Sequence, residues 1–119
     1  MLFRSEPYFD YGVIGPDRKL KHKIRIDLPG PRLPHDLSVT PNYSILHDFP
    51  LFRDEETIRA GRFKLSFHPE LPSRFAVVPR YGKASDVRWF EASPTFLLHV
   101  VNTWEEGDEI VMLGTPYRM

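Results

Sequence analysis

Apolar and polar residues alternate with a period of two in two segments of this chain, and short strand-like runs bounded by turn residues fill much of the rest, which predicts strands rather than helices. Leu20, His22, Ile24 and Ile26 line one side of a segment whose other side carries Lys21, Lys23, Arg25 and Asp27. That is the pattern of a strand with one wet face. Residues 8–14 read as a preceding strand, joined to it by the Gly15-Pro16-Asp17 turn. After a proline-rich break over 28–34, residues 35–39 and 42–48 form two strands around Thr40-Pro41. Residues 62–67 alternate again, with Phe63, Leu65 and Phe67 on one face. Further strands are predicted over 75–78, 87–91, 95–103 and 109–113. Only Asp54-Glu55-Glu56 with Thr57, Ile58 and Gly61 carries a helix signal, an Asp cap, an acidic first turn and a glycine stop, and it holds barely two turns. Eight or nine short strands with hairpin-length connections and no βαβ pattern make an all-β, antiparallel architecture: sandwich, barrel or propeller blades.

Composition sharpens this. The 12 prolines and 7 glycines punctuate the chain as turns do, and 9 phenylalanines favour pleated, half-buried surfaces. At 119 residues there is room for one small domain, spanning 1–119, and not for two. Lys plus Arg balance Asp plus Glu at 16 each, so nothing favours nucleic acid as a partner. Cysteine is absent, which excludes disulfides and thiolate metal sites and fits a cytoplasmic location. No apolar run approaches the roughly 18 residues of a membrane span, and residues 1–6 lack the order of a signal peptide.

The candidate chemistry lies in five histidines. Within the stretch 96–107, His99 sits inside an apolar, strand-like run that the charged turn Glu105-Glu106-Gly107-Asp108 closes, and an imidazole buried in a strand needs a hydrogen-bond partner or a metal. His35 shares a predicted strand face with Leu37 and Val39, as His99 does with Leu97 and Val101. His47-Asp48 competes with His35-Asp36 for any metal role. His22 reads as a partly exposed strand residue and His68 as a solvated loop residue. Ser38, His99 and Asp36 could be written as a hydrolase triad, but no nucleophile-elbow context supports it. No metalloprotease helix or phosphate loop is present. On the residues alone, a metal centre and a plain all-β binding or structural domain with core histidines both stand.

Several ordered motifs resemble the carotenoid cleavage oxygenase family, which includes carotenoid, apocarotenoid and lignostilbene dioxygenases and a retinal isomerohydrolase. Pro34-His35-Asp36-Leu37-Ser38-Val39-Thr40-Pro41-Asn42-Tyr43 resembles its His-Asp-Phe segment, and Asp48-Phe49-Pro50-Leu51 the Asp-Leu-Pro-Leu that follows. Arg74-Phe75-Ala76-Val77-Val78-Pro79-Arg80, Val87-Arg88-Trp89-Phe90-Glu91 and the run from Leu98 through His99 to Gly107 come next, in the family's order. Leu37 stands where the family usually has Phe, and Ser93-Pro94-Thr95-Phe96 is a variant of its segment.

The resemblance implies a seven-bladed β-propeller of which this chain supplies about two blades. It also implies an Fe(II) cofactor, Fe(2+), on four histidines, the second and third being His35 and His99, with His47 set aside as structural. The other two ligands and the glutamates that orient the histidines fall outside the matching span, and Glu105 and Glu106 do not take that role. The implied reaction is oxidative cleavage of a C=C bond by O2 in an apolar, conjugated carotenoid, apocarotenoid or stilbene-type substrate. Peripheral membrane contact, known in many members, belongs to the parent enzyme. With two ligands of four, the isolated chain is expected to be inactive.

Overall fold

The computed structural model describes residues 9–117. Among the described residues ten strands, one short α-helix and one 3-10 turn follow one another: β1 (Asp10–Ile14), β2 (Leu20–Arg25), β3 (Ser38–Val39), β4 (Tyr43–Asp48), β5 (Leu51–Phe52), α1 (Glu55–Arg59), β6 (Ser66–Phe67), β7 (Ser73–Pro79), the 3-10 turn Ala84–Asp86, β8 (Arg88–Ala92), β9 (Phe96–Glu106) and β10 (Glu109–Tyr117). Every strand pair is antiparallel. The central sheet runs β3-β4-β7-β8, flanked in sequence by the β1-β2 hairpin and the long β9-β10 hairpin, with β5-β6 a small separate pair.

Strand periodicity gives the central sheet two apolar faces, and each receives a hairpin. On one face Ser44 and Leu46 of β4 stand opposite Val78 and Ala76 of β7, and Ala76 stands opposite Trp89 of β8. Tyr11 and Ile26 close over Leu46, Ala76 and Val78 to form the core, bordered by Val13, Ile24, Val87 and Trp89. The Tyr11 hydroxyl, which could not be buried unpaired, meets Ser44 Oγ at 3.1 Å and donates to the Arg80 carbonyl at 3.0 Å. On the other face Ile45 and His47 stand opposite Val77 and Phe75. Phe49 joins that face edge-on to Phe75 and to Phe96 of β9, with ring centroids 5.6 and 5.9 Å apart. A cleft of about 520 Å³ remains between this face and the β9-β10 hairpin, lined by Ile45, Phe75, Val77, Phe90, Ile110 and Met112 among others. The order hairpin, sheet, hairpin is a stack of layers, as in adjoining propeller blades.

Asp48 ties the layers at one end. Its buried carboxylate accepts from Arg32 Nε at 2.7 Å and from Arg74 at 2.6 and 2.9 Å. The two guanidiniums lie over Phe52 and Trp89, so charge and apolar surface are covered together.

Three expectations change. Residues 35–39 are not a full strand: only Ser38 and Val39 pair with β4, because Asp36 captures the Leu37 amide with its own side chain and takes it from any ladder. Of residues 62–67 only Ser66 and Phe67 pair, since their partner strand β5 ends where Asp54 caps α1 by accepting from the Thr57 amide. Phe63 is left exposed under the Arg53 guanidinium. β9 and β10 are longer than their apolar runs, extending to Glu106 and Tyr117. Gly107, at φ +62°, turns the hairpin through a two-residue loop whose first position favours glycine. The strand expected over 8–14 is found from Asp10; Tyr8 lies outside the described residues.

Candidate metal centre

His35 comes from the irregular segment before β3 and His99 from the middle of β9, 64 positions apart in the chain. Their Nε2 atoms are 3.3 Å apart, with ring centroids 5.2 Å apart and planes inclined at 47°. Both side chains are exposed, which departs from the core histidines expected of their strand faces. The reason is cover rather than pattern. On β9, Leu97 is buried against Gly114 of the partner strand, whereas Val101 on the same face is 65% exposed. Leu37 and Val39, on the face of His35, are 50% and 57% exposed.

Asp36 lies between the two histidine-bearing segments. Its Oδ1 accepts from the Leu37 amide and its Oδ2 from the Val100 amide, both at 2.8 Å. These bonds, the Val100 one foremost, hold its carboxyl below the ordinary carboxylate range, with His47 and His99 adding to the effect and burial opposing it. A second carboxylate docks the neighbouring turn: Glu105 of β9 accepts from the Asn42 amide at 3.0 Å and from Asn42 Nδ2 at 2.9 Å. The asparagine bonds depress its carboxyl as well. Arg80 closes the same turn by donating to the carbonyls of Thr40, Pro41 and Tyr43. Neither carboxylate role was visible in the residue pattern; the only hint was the aspartate that directly follows His35.

The remaining histidines stand apart. His47 is buried beside Phe49 and Phe75, at 4.9 and 5.7 Å between centroids, with its Nε2 unpartnered. Burial pushes its imidazole below its ordinary value, and the Asp36 charge opposes this. His22 Nε2 meets the Gly82 carbonyl at 2.7 Å. His68, expected in solvent, is instead stacked on Phe52 at 4.2 Å and largely covered. The paper triad is not assembled, because Ser38 Oγ donates to Met112 Sδ and Asp36 is engaged with amides.

Two imidazole nitrogens are donors of the kind that divalent iron, cobalt and zinc accept. Nitrogens each about 2.1 Å from one ion, about 100° apart across it, lie about 3.2 Å from each other. The spacing of 3.3 Å, at which the two rings share a direct N–H···N hydrogen bond that needs no metal between them, also fits a shared ion. Among the described residues no third His, Asp or Glu completes a cluster with them.

Layered antiparallel sheets carrying an exposed, closely spaced histidine pair define an all-β unit with a candidate pair of metal ligands. The family model described as retinal pigment epithelial membrane protein matches residues 1–119, and the chain belongs to that family, the carotenoid cleavage oxygenases. It is 40% identical over 111 residues to a carotenoid 9,10(9',10')-cleavage dioxygenase of Crocus sativus, covering 92% of this chain and 20% of that protein. It is 34% identical over 102 residues to an isoeugenol monooxygenase of Pseudomonas putida, covering 86% and 21%. Among solved structures it resembles the lignostilbene dioxygenase of Pseudomonas brassicacearum, with a TM-score of 0.76, 36% identity, and coverage of 87% of this chain and 22% of that one. It also resembles a cobalt-substituted Synechocystis ACO, with a TM-score of 0.77, 25% identity and coverage of 91% and 23%. The chain thus spans about a fifth of the length of these relatives. Among the described residues no helix is long and apolar enough to cross a membrane.

Proposed function

We propose that this chain is a segment of a non-haem Fe(II) dioxygenase that cleaves a C=C bond of a carotenoid, apocarotenoid or stilbene-type substrate with O2. His35 and His99 are two of its iron ligands. The observation that carries the reading is the 3.3 Å approach of two exposed imidazole nitrogens from segments 64 residues apart. An exposed pair with no apolar cover is badly placed as a packing element and well placed as a ligand pair. The substrate class, an apolar alkene in conjugation, is supported by relatives named for carotenoid cleavage, isoeugenol monooxygenation and lignostilbene dioxygenation. Iron bound there supplies activation of O2, whose two oxygen atoms end in the two carbonyl products.

The chain's own contribution is position. β9 carries His99 on a long paired strand, Asp36 and Glu105 dock the His35 segment beside it, and the central sheet backs both. Two imidazoles alone bind a divalent ion weakly and prefer copper over iron, so the chain requires the rest of an oxygenase to hold iron. The test uses a full-length oxygenase that contains this segment. It is expected to purify with about one iron per chain, and His99→Ala should remove both iron and turnover. Survival of iron content and rate in that variant would sink the assignment.

A further inference from the structure

We propose that Asp36 is a positioning residue that sets the His35–His99 spacing by fastening the irregular segment after His35 to the amide of Val100. The inference rests on the reading of the two histidines as a ligand pair. β3 and β9 belong to different sheets, so no ladder fixes their relative position. Side-chain bonds must do it. The carboxylate of Asp36 spans the gap, one oxygen on the Leu37 amide beside its own backbone and the other on the Val100 amide.

The arrangement is consecutive on both sides: His35 precedes Asp36 and His99 precedes Val100. Any slip of one segment along the other would therefore carry the two rings apart. Asp36 touches neither imidazole by a hydrogen bond, so it acts through the backbone that bears them. Ser38 Oγ on Met112 Sδ adds only a weak bond to a sulfur acceptor. Glu105 holds the turn at Asn42, six positions along β9 from His99, and cannot fix the ring spacing alone.

An amide in place of the carboxylate keeps the shape but offers one acceptor oxygen. In Asp36→Asn one of the two backbone N–H groups therefore meets an NH2 instead of an acceptor. Asp36→Glu keeps the charge but moves both oxygens by a methylene, which separates position from charge. Co(II) is titrated calorimetrically into a metal-free full-length oxygenase that contains this segment and into both of its variants. In the metal-free proteins, the cross-ring nuclear Overhauser contact between His35 and His99 and the exchange rates of the Val100, Leu46 and Val78 amides are measured. Both variants are expected to bind Co(II) about 10–100-fold more weakly. They are expected to lose the ring contact and Val100 protection while keeping protection at Leu46 and Val78.

A variant that keeps the ring contact, or binds Co(II) within twofold of the parent, overturns the proposal. So does loss of protection at Leu46 and Val78 as well, which would make Asp36 a general support of the fold. If the unmodified full-length protein takes up no Co(II) but the variants lose the ring contact, the ligand reading fails and the positioning role stands.

Discussion

His47 has its ring between Phe49 and Phe75 and its Nε2 without a partner. Burial favours the neutral imidazole, so the folded chain binds a proton there less readily than the unfolded chain. Below the ordinary value of 6.5 the unfolded state carries more protons than the folded one, and stability rises with pH through that window. The contribution is complete above about pH 6.5 and is lost as the pH falls toward the lower folded value. Thermal melts between pH 7 and pH 5 should show a smaller drop in Tm for His47→Leu than for the parent chain. Equal slopes would mean that another group carries the pH dependence. The same burial keeps His47 out of the ligand pair, although its His-Asp dipeptide looks like that of His35.

The β9-β10 hairpin depends on close packing at one point. The register slips around Gly114, and a Cβ there would fall 2.1 Å from Leu97 Cδ1 and 3.1 Å from its Cγ. Leu97 is 7% exposed and has little room to withdraw. Gly114→Ala should therefore destabilise the chain by about 1–3 kcal/mol in urea unfolding, an overpacking cost. A fully neutral substitution would show that the strand relaxes outward. Glu105→Gln tests the neighbouring dock. One oxygen remains for Asn42, so amide exchange at Asn42 should quicken while the His35–His99 ring contact persists. Loss of the ring contact there would move the positioning role from Asp36 to the turn.

At the level of the whole chain, three sheet layers are stacked in sequence order and the outer ones are incompletely covered. Ile14, Leu20, Val101 and Leu113 are each at least half exposed. Exposed apolar faces of this kind suit contact with another surface, and the relatives are about five times longer than this chain. Two histidines with no third donor among the described residues do not make an oxygenase centre. The 119-residue chain, supplied with ferrous iron, O2 and an apocarotenoid or stilbene-type alkene, is expected to give no turnover above iron alone. Substantial turnover would show that two histidines suffice and would overturn the segment reading.

Local pattern carried a good deal of this. Alternation marked β2, and short strand-like runs bounded by turn residues marked β4, β7, β8, β9 and β10, because both follow from local sequence and need no partner to be legible. The cap at Asp54 and the turn at Gly107 were equally local, since each answers a backbone demand within a few residues. The ordered motifs named the family and singled out His35 and His99 among five histidines. Exposure of those histidines could not be read in the same way, because burial depends on whether another layer lies over a face, and the faces of β3 and β9 lack one. Nor could the short β3 be read from its residues. Asp36 takes the Leu37 amide with one oxygen and the Val100 amide, 64 positions away, with the other, and the second contact has no trace in the local pattern. Residue identities thus chose the donors, while their spacing came from a contact between distant segments that no local pattern encodes.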